Sequence, residues 1–143
     1  MKDEKIFLLD SNVLIYAYDK NEDKKRKIAS NLLSSCFKKE KRLVLTNQIL
    51  AEFSSIFLQK GKGDINLLKL IINDILNCVE FIKLTYNERT ILRALAIKEE
   101  FKIPFWDSLI IATMKENGIY NVYTENIKDF NIAGIKAVNP FEK

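Results

Sequence analysis

The sequence of 143 residues contains no histidine. That absence removes Ser-His-Asp and Cys-His triads and any His-ligated zinc site. Hydrolytic chemistry in this chain must rest on carboxylates, lysines or a hard metal ion. Cysteine is nearly as scarce, with Cys36 and Cys78 as the only two. They give neither a metal-binding spacing nor a disulfide framework, and they read as reduced structural thiols. No apolar run approaches the roughly 20 residues needed to cross a bilayer. The run that follows Met1-Lys2-Asp3-Glu4-Lys5 is too short for a signal peptide, so a cytoplasmic location without membrane contact is expected. There is no repeat, low-complexity segment or linker, so residues 1–143 are expected to form one domain.

What is present is an ordinary globular composition, 48% hydrophobic and 29% charged, with a net charge of +4. The basic residues bunch at Lys24-Lys25-Arg26-Lys27, Lys38-Lys39 and Lys41-Arg42, with Lys60 and Lys62 beyond. A basic surface attracts nucleic acid, although each cluster alone also reads as a solvated helix face.

The most informative stretch is Ile6-Phe7-Leu8-Leu9-Asp10-Ser11-Asn12-Val13-Leu14. Four apolar residues in a row predict a strand buried on both faces, as in a parallel sheet covered by helices. The polar break places Asp10 at the carboxyl end of that strand, with Ser11 and Asn12 as cap types for the helix that follows. Ligands of open α/β sheets bind at that edge. Asp10 could equally be a plain turn residue.

Helical spacing continues over Lys24–Phe37, followed by a short strand at Leu43–Leu45 and a helix over Ile49–Gln59 capped by Thr46 or Asn47. Glu52 falls on the margin of the apolar stripe Ile49, Phe53, Ile56, one turn after a strand. Gly61-Lys62-Gly63 reads as a flexible turn, with Asp64 capping a helix over Ile65–Asn77. Val79–Leu84 is a candidate strand. Thr85-Tyr86-Asn87-Glu88 has the pattern of a capping box, with Thr85 as cap and Glu88 reaching back.

A helix then opens at Phe105-Trp106-Asp107-Ser108 and stops at Asn117-Gly118. Asp107 shares a face with Ile110, Ile111 and Met114, so its charge needs compensation. Ile119–Tyr123 predicts another strand, ending at the polar loop Thr124–Asp129. A last strand is expected over Ile135–Val138. The alternation of strands and helices predicts an α/β fold, a three-layer α/β/α sandwich with a mostly parallel central sheet. Parallel strands present their carboxyl ends on one edge, where Asp10, Glu52, Asp107 and the Thr124–Asp129 loop can converge. Like charges gathered there repel one another, and a hard divalent cation such as magnesium or manganese relieves that repulsion.

The set Leu8-Leu9-Asp10-Ser11-Asn12-Val13, Thr46-Asn47-Gln48-Ile49-Leu50-Ala51-Glu52, Phe105-Trp106-Asp107-Ser108, Tyr123-Thr124-Glu125-Asn126-Ile127-Lys128-Asp129-Phe130 and Asn139-Pro140-Phe141 resembles a PIN domain, and within that family the VapC-type toxins of toxin–antitoxin pairs. The resemblance spans nearly the whole chain. It implies a metal-dependent endoribonuclease that leaves a 5′-phosphate and a 3′-hydroxyl. It also implies Asp10, Glu52 and Asp107 as the acidic residues holding Mg2+ or Mn2+. Ser11 or Asn12 would support the first carboxylate, Thr124 would line the site, and Asn126 stands at the family's fourth acidic position with Asp129 nearby. RNA as substrate, a small cognate antitoxin and a homodimer are further implications. The alternative is a catalytically weak PIN protein acting by RNA or partner binding. A haloacid-dehalogenase-like phosphotransferase fits less well, because it wants an Asp where Asn12 stands. A receiver domain lacks its phosphoacceptor and lysine.

Overall fold

The computed structural model describes residues 5–60 and 63–142. Met1–Glu4 and the Gly61-Lys62 half of the expected glycine turn lie outside the described residues. The sheet is built from β1 (Phe7–Leu9), β2 (Leu43–Thr46), β3 (Phe81–Leu84), β4 (Asn121–Tyr123) and β5 (Lys136–Val138). All four neighbour pairings are parallel, in the order β3-β2-β1-β4-β5. Helices α1 (Ser11–Tyr16), α2 (Asp23–Phe37), α3 (Asn47–Gln59), α4 (Ile65–Leu76), α5 (Glu88–Phe101), α6 (Phe105–Glu116) and α7 (Ile127–Phe130) connect and cover the strands.

The expected α/β sandwich with a parallel sheet is therefore the observed architecture. Burial explains it: Leu8, Leu9, Val44, Leu45 and Val122 are wholly inaccessible. A strand hidden on both faces needs apolar residues at successive positions rather than at alternate ones. Phe53 from α3, Ile75 from α4, Ile111 and Met114 from α6 and Phe130 from α7 fill the layers around it.

The topology fixes where a site can form. The chain runs from β1 outward through β2 to β3, then returns to pair β4 with the other side of β1. The strand order reverses between β1 and β4, and such a switch point opens a crevice at the carboxyl ends. Leu9 pairs with Tyr123, so the next residue of each strand, Asp10 and Thr124, emerges at that crevice.

Local signals fared unevenly. Thr46 caps α3 by accepting from the Ile49 N–H at 3.0 Å, and Asp64 caps α4 by accepting from Asn66 and Leu67. Gly118 follows α6 with φ +71°, a conformation that suits glycine. At α1 the cap is Asp10 itself, which is extended at φ −71°, ψ 157° and accepts from the Ser11 N–H at 2.8 Å, while Ser11 and Asn12 are already helical. The capping box at the start of α5 also lies further on than expected. Asn87 accepts from the Arg89 and Thr90 N–H groups, and the Thr90 hydroxyl accepts from the Asn87 N–H at 3.1 Å. The short Asn side chain, on extended backbone two residues nearer the helix, satisfies those donors, and Glu88 is left in the first turn with the helix dipole. The polar loop after β4 contains a short helix, α7.

Both cysteines are free thiols, and burial pushes Cys36 up to about 11. Among the described residues, no helix is long and apolar enough to cross a membrane.

Candidate active site

Asp10 reaches the crevice because β1 ends there and α1 begins. Its carboxylate is buried, with 6% of the residue exposed. The Ser11 N–H donates to Oδ1 at 2.8 Å, and the Thr124 hydroxyl donates to Oδ2 at 2.8 Å. The Asn12 amide adds a longer contact to Oδ2, at 3.3 Å. Burial raises the Asp10 pKa above the ordinary 3.8; the bonds from Thr124, Ser11 and Asn12 oppose that rise, and the Glu52 charge adds to it. Charge is disfavoured by desolvation and favoured by donors, and at Asp10 desolvation wins.

Thr124 is fully buried and works in two directions. Its hydroxyl donates to Asp10 and accepts from the backbone N–H of Asn126 at 2.9 Å. The Asn126 side-chain amide in turn donates to Asp107 Oδ2 at 3.0 Å and to Asp129 Oδ2 at 2.9 Å. One run of hydrogen bonds thus links β1, the loop after β4, α7 and the first turn of α6.

Asp107 is held there by α6, whose following seven residues, Ser108 to Met114, are all buried. Rotating α6 to expose Asp107 would expose that face as well. The Asp107 carboxyl is pushed up to about 7, first by burial, then by a hydrogen bond that its protonated form shares with Asp129, then by the charges of Asp10, Asp129 and Glu52. A carboxyl in that state keeps its proton to a higher pH than an ordinary carboxylate does.

Glu52 projects from the second turn of α3, which follows β2 directly, and is half-buried. Gln48, one turn earlier on the same helix, donates to Glu52 Oε2 at 3.0 Å. The expected residues Asp10, Asp107, Thr124, Asn126 and Asp129 are directly connected by hydrogen bonds, with Ser11 and Asn12 bonded to Asp10. Glu52 joins them through its electrostatic effect on Asp10 and Asp107.

All these donors are oxygen or amide groups, the set that suits a hard divalent cation. As the side chains stand, no three Asp, Glu or Cys side chains among the described residues are arranged to hold a metal ion. The Asn126 amide instead supplies the positive end of a dipole between Asp107 and Asp129. The donor chemistry fits a magnesium- or manganese-type ion, whose entry would compete with that amide.

Two features were not read from the sequence. Gln48 is one; its i, i+4 spacing to Glu52 on a single helix face is a usable signal. The other is a clamp behind the loop. The Lys25 ammonium meets Glu125 at 2.6 Å, and the Tyr16 hydroxyl donates to the same carboxylate at 3.1 Å. Lys25 also lies 4.7 Å from the centre of the Tyr16 ring, which packs edge-on against Phe141 at 5.2 Å. The partner of Glu125 is distant in sequence, so spacing alone does not disclose it.

Comparison with solved structures finds the same architecture repeatedly. A toxin–antitoxin complex from Klebsiella pneumoniae matches with a TM-score of 0.66 at 21% identity, over 96% of this chain and 99% of that one. The FitAcB structure from Neisseria gonorrhoeae matches with a TM-score of 0.67 at 18% identity, over 96% and 99%. VapC20 of Mycobacterium tuberculosis, described as a Sarcin-Ricin loop cleaving toxin, matches with a TM-score of 0.66 at 19% identity, over 92% and 96%. At such identities the likeness establishes the fold. No curated protein sequence matches the chain. The family model of the PIN domain matches residues 7–134, nearly the whole sequence, and this chain belongs to the PIN-domain family.

Proposed function

We propose that the chain is a divalent-metal-dependent endoribonuclease, the toxin of a type II toxin–antitoxin pair, acting as a single cytoplasmic PIN domain over residues 1–143. The observation that carries this reading is the gathering of Asp10, Asp107, Asn126 and Asp129, with Glu52 in electrostatic reach, at the switch point of a parallel sheet. An array that holds a carboxyl near pH 7 stores repulsion that a cation relieves. Asp10, Glu52 and Asp107 are the proposed catalytic and metal-holding residues, with Asn126 contributing its amide oxygen once its side chain turns over. A bound Mg2+ or Mn2+ supplies a Lewis acid for hydrolysis of an RNA phosphodiester to a 5′-phosphate and a 3′-hydroxyl. Thr124 and the Ser11 N–H orient Asp10 and Asn12 buttresses it, while in the metal-free site the Asn126 amide, bonded also to Asp129, positions Asp107.

Basic residues along α2, with Lys24 and Lys27 exposed on its surface, favour an RNA backbone. A small antitoxin and a homodimer are the proposed partners. They are supported by the complexes among the similar structures and by apolar side chains left open to solvent: Ile65, Leu67, Leu70 and Leu76 on α4, and Ile91, Leu92 and Leu95 on α5. A groove of about 860 Å³ is lined by Tyr18, Arg26, Phe57, Lys60 and Leu67. The second reading, a catalytically weak PIN protein that binds RNA or a partner, draws on the Asn126 amide already satisfying Asp107 and Asp129.

The test is cleavage of a mixed RNA pool with Mn2+, Mg2+ or chelator, analysed by sequencing of RNA ends. Wild type is expected to cut with metal and not with chelator, and Asp10→Asn to bind RNA without cutting. Equal cutting by Asp10→Asn defeats the catalytic assignment. A wild type that binds RNA but cuts none favours the second reading.

A further inference from the structure

Gln48 occupies the first turn of α3 and is 6% exposed, an uncommon place for an amide. Its nitrogen makes two bonds, to Glu52 Oε2 at 3.0 Å and to the backbone carbonyl of Trp106 at 2.9 Å. Both partners can only accept, so the amide orientation is settled by chemistry: turned over, it would set oxygen against two oxygens. The consequence is that Gln48 Oε1 is buried with no donor among the described residues. An unpaired buried acceptor costs about 1–3 kcal/mol. A side chain selected for stability alone would avoid that cost, and leucine or methionine would fill the same space.

The two bonds join two parts of the site that the chain brings from far apart. Glu52 is on α3, after β2; Trp106 immediately precedes Asp107 in the first turn of α6. No other hydrogen bond to the Glu52 side chain occurs among the described residues. We propose that Gln48 is a positioning residue, an amide strap that sets the Glu52 carboxylate relative to the Asp107 turn. This deepens the nuclease reading and rests on it. Without the strap, Glu52 is free to turn toward solvent, and the cation-binding set loses a preorganised member. Groups that orient metal ligands from behind typically change affinity by about 10–100-fold when removed.

The test is Mn2+ binding to the full chain by calorimetry, together with RNA-cleavage kinetics, in wild type, Gln48→Met, Glu52→Ala and the double variant. Methionine keeps length and volume and removes the donors. Gln48→Met is expected to weaken Mn2+ binding about tenfold or more and to lower kcat with little change in KM for RNA. In the Glu52→Ala background the same substitution is expected to cost nothing further, because its effect passes through Glu52. A merely structural role predicts the same loss in both backgrounds.

Equal Mn2+ affinity in folded Gln48→Met and wild type overturns the inference alone. A wild type that neither binds Mn2+ nor cuts RNA overturns the nuclease reading and this inference with it. Should Gln48→Met lose its native circular dichroism spectrum, the measurement passes to Gln48→Asn, whose amide is one methylene too short to span both acceptors. Unfolding of both variants overturns the inference by making Gln48 a determinant of the fold.

Discussion

Asp107→Asn isolates the electrostatic strain of the site. The Asp107 carboxyl rises from an ordinary 3.8 to about 7 in the folded chain. A carboxylic acid that holds its proton more tightly when folded contributes its full stability below about pH 4 and loses it as pH climbs towards about 7. At about 1.4 kcal/mol per pH unit, the upper bound on that loss is about 4 kcal/mol. Asp107 is only half-buried, so solvent screening reduces the expected loss to on the order of 1–2 kcal/mol. For a chain of this size that is a fall of roughly 3–8 °C in Tm. Metal-free wild type should therefore lose stability between pH 4 and pH 7, relative to Asp107→Asn measured alongside. The variant keeps the side-chain shape and removes the charge. Mn2+ at about 100 times its Kd should restore about 2.7 kcal/mol to wild type at pH 8 and little to the variant. Thermal unfolding by circular dichroism, in chelator and in Mn2+, reads both effects. A wild type whose stability stays level or rises over that range, or a variant with the same pH dependence, refutes the account of the site.

Thr124→Val removes the donor to Asp10 and the acceptor for the Asn126 N–H while keeping the shape. It should cost about 1–3 kcal/mol in chemical denaturation and lower cleavage about 10–100-fold. Asn126→Asp adds a carboxylate where an amide now separates Asp107 from Asp129. It should tighten Mn2+ binding in calorimetry, lower the metal-free Tm at pH 8, and make Mn2+ stabilise the chain more than it does wild type.

Much of the fold was legible because it depends on local pattern. Consecutive apolar residues at Phe7–Leu9 and Leu43–Leu45 identify buried parallel strands without any knowledge of their neighbours. Asp64 and Thr46 could be read as caps because a cap bonds a donor two or three residues away. The errors at Ser11 and at Thr85 have the same source: several cap-forming residues stand in a row, and the backbone angles that choose among them depend on where the preceding strand ends. Glu52 and Asp107 were readable as carboxylates on partly apolar faces, a pattern that demands compensation. Asn126 and Asp129 were named through the family resemblance, but the bond from Asn126 to Asp107 was not readable, since it forms only when the β4 loop folds over α6.

By itself the sequence determined the chemistry on offer. It has carboxylate and amide side chains and no histidine, a carboxylate at the end of an inward strand, and apolar periodicity that admits one class of fold. Those properties follow from residue types and short-range spacing, which the chain carries before it folds. Tertiary structure decided which groups meet: the pairing of Leu9 with Tyr123 that puts Thr124 on Asp10, the Asn126 amide between two carboxyls, and the Gln48 bridge to the Trp106 carbonyl. Apart from the local bond of Asn126 to Asp129, these are contacts between segments far apart in the chain, made when the sheet closes and water leaves, so the Asp107 pKa of about 7 belongs to the folded molecule alone.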